Sequence, residues 1–93
     1  MIRVRVRAMP KRGVLDPQGE ALARALHDLG HERAVREARV GRVMEIDLDV
    51  DDPQEARVIA ERMCADLLIN DVVERGEIEL VDVAEQTRAA VTA

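Results

Sequence analysis

A chain of 93 residues with net charge −5 and no Phe, Tyr or Trp makes one domain, and its core must come from Val, Leu, Ile, Met and Ala. The acidic balance excludes the basic footprint that nonspecific nucleic-acid binding needs, and there is no ring on which a base or sugar could stack. A single Cys excludes an intramolecular disulfide and a thiolate metal cluster, and no apolar run nears the ~18 residues of a membrane span.

Residues 2–8 alternate strictly, with Ile2, Val4, Val6 and Ala8 on one side and Arg3, Arg5 and Arg7 on the other, as in a half-buried strand. Pro10-Lys11-Arg12-Gly13 follows as a flexible basic connection. Asp16-Pro17 reads as N-cap and first helical position: the carboxylate accepts orphan amides, and proline loses nothing there. Leu22, Ala25, Leu26 and Leu29 come at helical spacing and predict a buried stripe, which Gly30 closes as a left-handed cap. Residues 35–40 suggest a short second strand, although Val35, Ala38 and Val40 are imperfectly placed. Gly41 permits a tight reversal.

The clearest strand spans 43–50, with Met44, Ile46, Leu48 and Val50 opposite Glu45, Asp47 and Asp49. Asp52-Pro53-Gln54-Glu55 opens a second helix with a capping-box-like pattern. Its apolar face holds Ala56, Ile59, Ala60, Met63, Leu67 and Leu68, and it should end near Asn70, which tolerates a left-handed conformation. A last strand runs from about Val73 to Val83 with Ile78 and Leu80 inward, and Gly76 weakens it or marks a bulge. The domain is expected to cover 1–83, and the small, polar segment 84–93 to form a frayed tail.

The order strand, helix, strand, strand, helix, strand fits an α+β two-layer sandwich of ferredoxin-like βαββαβ plan with an antiparallel sheet. In that plan Arg3, Arg5 and Arg7 lie between Glu45, Asp47 and Asp49 on one side and Glu77 and Glu79 on the other. That makes a charged sheet face and a poor phosphate site. No residue pattern supplies a reaction centre. Cys64 lies near the apolar face of the second helix without a nearby base and reads as packing. His27 and His31 lack the further ligands that zinc requires. Lys11 to Gly19 combines cations, glycine and a helix start, but Asp16 already occupies that start and the pattern of a P-loop is missing. Gly19 is costly so early in a helix, by ~1 kcal/mol against Ala, which close approach of another backbone would explain.

Several of these stretches together carry a resemblance. Val14-Leu15-Asp16-Pro17-Gln18-Gly19, then Ala21, Ala25-Leu26 and Leu29-Gly30, resembles the opening signature of the PurS family, the small subunit of phosphoribosylformylglycinamidine synthase. The likeness continues through Val35, Arg39-Val40-Gly41, Cys64-Ala65-Asp66-Leu67-Leu68-Ile69-Asn70 and Val72-Val73-Glu74, over roughly residues 1 to 82. Arg42 stands where the family often has lysine, and Asp71 where proline often follows the asparagine.

The resemblance implies a non-catalytic subunit of an ATP-dependent amidotransferase of de novo purine biosynthesis. The complex converts formylglycinamide ribonucleotide, glutamine and ATP to formylglycinamidine ribonucleotide, glutamate, ADP and phosphate. It implies that this chain binds no cofactor itself, ATP and Mg2+ being used by the large synthetase subunit (PurL-like). The chain would bridge that subunit and the glutaminase (PurQ-like) and support ammonia transfer between them. It also implies self-association, as a homodimer or a dimer of dimers, while the acidic charge and the lack of a long apolar run or signal-like start make a cytoplasmic location the expectation, with no nucleic acid or membrane as partner. Asp16, Gln18, Gly19, Arg39 and Arg42 are the expected partner surface: Asp16 organises the helix entrance, Gln18 is not needed for capping, and both arginines flank the reversal at Gly41. The alternatives are a stand-alone small-molecule-binding regulatory domain of the same fold, a small phosphatase-like enzyme and an RNA-binding module. The phosphatase lacks its phosphate loop and a positioned amide, and the RNA binder lacks its aromatics.

Overall fold

The alternating apolar residues of the first strand become its central buried row. In the computed structural model, which describes residues 1–82, β1 (Ile2–Pro10) is the middle strand of a three-stranded antiparallel sheet. On one side it pairs with β2 (Arg42–Leu48), in register from Ile2–Leu48 to Ala8–Arg42. On the other it pairs with β3 (Glu74–Asp82), from Ile2–Asp82 to Pro10–Glu74. The helices are α1 (Pro17–Leu26) and α2 (Pro53–Met63). Each runs on into a wider turn, His27–His31 and Cys64–Leu68 respectively. The two-layer α/β architecture with an antiparallel sheet follows the expected plan.

Residues 35–40 depart from it, because this segment joins no ladder among the described residues. Its alternation explains why. Val35, Glu37 and Arg39 fall on one side and Arg36, Ala38 and Val40 on the other, so either register would press a charge onto the apolar face of the sheet. The segment instead returns along α1.

Val4, Val6, Ala8, Ala56 and Ala60 are fully buried. Ala56 and Ala60, four apart on α2, let that helix come close to β1, and Met44, Leu48, Met63, Cys64, Leu68, Ile69, Ile78 and Leu80 close round the contact. This cluster draws on the sheet, on α2 and on the turn after it, and holds no residue between 9 and 43. The expected buried stripe of the first helix is therefore absent: Leu22 is 44% and Leu29 75% exposed, Ala25 is exposed, and Leu26 is half-buried. Among the described residues, α2 and the turn after it supply the helical side of the core.

Three local expectations change for local reasons. After Met63 the helix widens, with the Ile69 amide bonding to the Cys64 carbonyl five residues back. This shifts the phase of the apolar face and leaves Leu67 83% exposed. Asn70 is not left-handed, since among the described residues only Gly13 and Gly30 have positive φ, the latter as expected. Gly76 marks no bulge: it pairs with Ala8 in an unbroken register, and a Cβ there would stand 2.9 Å from the side chain of Ile69. On the outer face the charge match is as expected. Arg3 meets Asp47 through two hydrogen bonds of 2.7 and 3.1 Å, Arg5 bridges Glu45 and Glu79, and Arg7 reaches Glu77.

Candidate functional site

The entrance of α1 is fixed by one side chain with two tasks. Asp16 Oδ1 accepts from the Gly19 amide at 3.0 Å, the N-cap bond, while its Oδ2 accepts from the Val40 amide, also at 3.0 Å. These two amides hold the Asp16 carboxyl below the usual range, with the charge of Arg39 adding to them. The return segment is thereby fastened to the helix start, and a second tie joins His27 Nε2 to the Val35 carbonyl at 2.8 Å. Gly19 is buried beneath this junction, and any Cβ on it would collide with the Ala38 carbonyl and the Asp16 carboxylate. The early glycine is thus explained by close backbone approach inside the chain.

Opposite this entrance, the start of β2 meets the start of β3. Arg42 Nη2 lies 2.8 Å from both carboxylate oxygens of Glu74 and donates to the Leu68 carbonyl at 3.1 Å, at the end of the helical segment. Glu74 also accepts from the Asn70 amide at 2.9 Å; that bond first, and Arg42 second, hold its carboxyl below the usual range. Asn70 organises the turn into β3, its Oδ1 accepting from the Val72 amide and its carbonyl from the Val73 and Glu74 amides. Lys11 ties the loop after β1 to the same turn, its amide donating to Val73 O at 2.9 Å and its ammonium to Asp71 O.

Between these two constructions lies a groove of about 510 Å³. Leu15, Pro17 and Gln18 form one bank, Arg42, Asn70 and Glu74 part of the other. Among the five expected surface residues, Asp16, Gln18 and Arg42 line it together. Gly19 lies buried behind Asp16. Arg39 faces a separate hollow of about 270 Å³ with Lys11, Arg12, Glu20 and Glu37, and its Nη2 is buried there without a hydrogen-bond partner among the described residues. Arg42 already reaches an acidic side chain and a backbone carbonyl within its own chain, so those two acceptors do not need a partner to explain them.

Asn70 and Glu74 belong to the groove although the sequence reading placed neither there. Their spacing of four is visible in the sequence, but their link to Arg42 joins segments about thirty residues apart, which no local pattern reveals. Cys64 is half-buried in the core cluster, and burial, with Glu61 second, pushes its thiol up, away from nucleophilic reactivity. Among the described residues no three His, Cys, Asp or Glu side chains stand where they could hold a metal ion. Nor is any helix there long and apolar enough to cross a membrane.

The model of the PurS family, phosphoribosylformylglycinamidine (FGAM) synthase, matches residues 3–82. The FGAM synthase subunit PurS of Bacillus subtilis is 36% identical over 86 residues, covering 92% of this chain and all of that one. The Mycobacterium leprae subunit is 41% identical over 73 residues, covering 76% and 90%. Among solved structures, Methanocaldococcus jannaschii PurS superposes with a TM-score of 0.77 at 30% identity, covering 88% of this chain and 98% of its own. A chain in the structure of PurLQS from Thermotoga maritima superposes with a TM-score of 0.75 at 26% identity, covering 86% and 96%. With the model spanning the sheet, both helices and the groove, this chain belongs to the PurS family of FGAM synthase small subunits.

Proposed function

We propose that the groove at the entrance of α1 is the surface by which this non-catalytic small subunit engages the large synthetase subunit of FGAM synthase. One observation carries the reading. The stretches that bear the family resemblance, Leu15-Asp16-Pro17-Gln18, Val40-Gly41, Asn70 and Val73-Glu74, are far apart in sequence and line one groove. Engaged there, the chain bridges the synthetase and the glutaminase and supports ammonia transfer between them. ATP and Mg2+ act in the synthetase, and the chain's own part is to present a shaped surface in the cytoplasm. Asp16 fixes the helix bank, and Arg42 with Glu74 fixes the strand bank. Gln18, exposed in the first turn of α1, is free to contact the partner.

Two substitutions test this. Gln18→Ala should leave melting unchanged, weaken binding to the synthetase and lower the glutamine-dependent turnover of the complex. Arg42→Ala should do the same with a lowered melting temperature, because it also removes contacts to Glu74 and Leu68. Normal binding and turnover for both would take the groove out of the functional account. The chain alone should release no ammonia from glutamine, and such activity tracking it through purification would overturn the non-catalytic reading.

We also infer that the exposed apolar row of α1 meets a second copy of the chain. Leu22, Leu26 and Leu29 have no place in the core, and β2 is an open sheet edge among the described residues. Sedimentation equilibrium at micromolar concentration should give a dimer or a dimer of dimers; a monomer would contradict this.

A further inference from the structure

A second recess lies on the other side of the turn that leads into β3. Asn70, Val73 and Glu74 line the groove at the entrance of α1, whereas Ile69, Asp71 and Gly76 line a hollow of about 290 Å³ between the end of α2 and β3. The segment 69–76 is thus a wall shared by two recesses. Ile69 and Ile78, half-buried against the core, give the hollow an apolar floor. Gly76 lets the Ile69 side chain lie close against β3, since a Cβ there would stand 2.9 Å from it. The charged residues of the hollow are Glu61 and Asp71, both exposed, and no cation lines it among the described residues. Glu61 meets Arg57 at 3.8 Å with both side chains more than half exposed, a pair that is easily exchanged. The Asp71 carboxylate has no partner among the described residues, Lys11 taking its backbone carbonyl instead. The groove differs in charge, because Arg42 engages Glu74 and Leu68 through Nη2 and keeps Nε and Nη1 free among the described residues. In the same stretch of chain as the hollow, Leu67 and Val72 stand 83% and 76% exposed and offer a partner apolar surface to cover.

Resting on the bridging role proposed above, we propose that this second recess seats the glutaminase subunit, which lays the aliphatic stem of a lysine or arginine on Ile69 and Ile78 and presents its cationic head to Glu61 and Asp71. A long basic side chain suits such a seat, since its stem buries apolar surface while its head keeps charged partners. A bridging chain needs two separate surfaces. One wall with a recess on either side holds two partners next to each other, as transfer of ammonia between them requires. The opposite charge of the free groups in the two recesses keeps the partners from exchanging places.

Cys64, the single thiol of the chain, also lines the hollow and reports on its cover. The first measurement is the rate at which a maleimide alkylates Cys64, followed by mass spectrometry of the full chain alone, with the synthetase, and with synthetase and glutaminase together. The rate should change by less than about twofold with the synthetase and fall at least about fivefold when the glutaminase joins. A fall with the synthetase alone would give the recess to that subunit, and a fall on concentrating the chain alone would give it to a second copy. An unchanged rate in the complete complex would leave the recess bare. Each of these overturns the proposal. The second measurement uses the double variant Glu61→Gln/Asp71→Asn, with circular dichroism melting as the check of its fold. It should weaken binding of the glutaminase to the synthetase-bound chain at least about tenfold and leave the affinity of the chain for the synthetase within about twofold. Unchanged binding of the glutaminase would contradict the proposal. The groove is read separately through Gln18→Ala and synthetase binding, so a bare hollow leaves the groove standing, and a failed groove leaves the protection of Cys64 to be judged by itself.

Discussion

The two helices of this chain have similar credentials in sequence and opposite fates in structure. Each opens with Asp-Pro-Gln and each carries apolar residues at helical spacing. α2 presents Ala56 and Ala60 to β1 and is held by burial. α1 leaves Leu22 and Leu29 in the open and is held by the polar ties of Asp16 and His27 to the return segment. Small residues allow close packing on a sheet, whereas a leucine row needs a surface to receive it, and among the described residues none does. One half of the molecule is thus a core built to stay folded. The other is a positioned arm whose apolar side is available to other chains.

The sharpest break between the halves is a charge placed in each. Val6→Asp puts a carboxylate into the fully buried row of β1 and should abolish the folded state. Leu29→Asp, on the arm, should shift stability by no more than about 0.5 kcal/mol while reducing self-association. Thermal melting followed by circular dichroism separates the two, and equal loss of structure in both would mean that the arm belongs to the core after all.

A smaller effect is expected where the arm is fastened. Gly19→Ala forces a methyl against Ala38 O and Asp16, with backbone on one side and an engaged carboxylate on the other. It should cost about 1–3 kcal/mol and disturb the return segment, although alanine is the better helix former. A stabilised Gly19→Ala in a melting experiment would show that the junction is loose.

Smaller still is the response to acid. The carboxyls of Asp16 and Glu74 are held below their ordinary values of 3.8 and 4.5, so their charged forms favour the folded state. That contribution is complete above the ordinary values and is lost as pH falls through the lowered ones. Below about pH 4 the arm and the groove should therefore loosen while the apolar contact of α2 with β1 persists. Amide hydrogen exchange would show this as faster exchange at Val40 and Gly19 ahead of Val4 and Val6. The reverse order would assign the arm's stability to something other than these carboxylates.

Much of this was legible in the sequence where the cause is local. The arginine strand, its acidic neighbours, the two Asp-Pro caps and the left-handed Gly30 rest on alternation, spacing and cap chemistry, and they stand as read. Leu22 and Leu29 were misplaced because periodicity marks an apolar face without saying what covers it. The expected strand at 35–40 failed because its charges fall on both sides, a conflict already visible in Arg36 on one side and Glu37 and Arg39 on the other. Asp16 was recognised as a cap, but its second bond, to Val40, and the joining of Arg42 to Glu74 depend on how distant segments meet. The tail expected over 84–93 lies outside the described residues.

The division into a core half and a docking half is tested most directly by two matched substitutions. Leu15, 71% exposed, stands on the groove, and Val58, 58% exposed, is a residue of α2 that does not line it. Leu15→Asp and Val58→Asp should both melt near the wild-type temperature, since neither side chain is buried. The affinity for the synthetase subunit is then the measurement. The account predicts that Leu15→Asp loses binding while Val58→Asp retains it. Retained binding by Leu15→Asp, or its loss only in Val58→Asp, would contradict it.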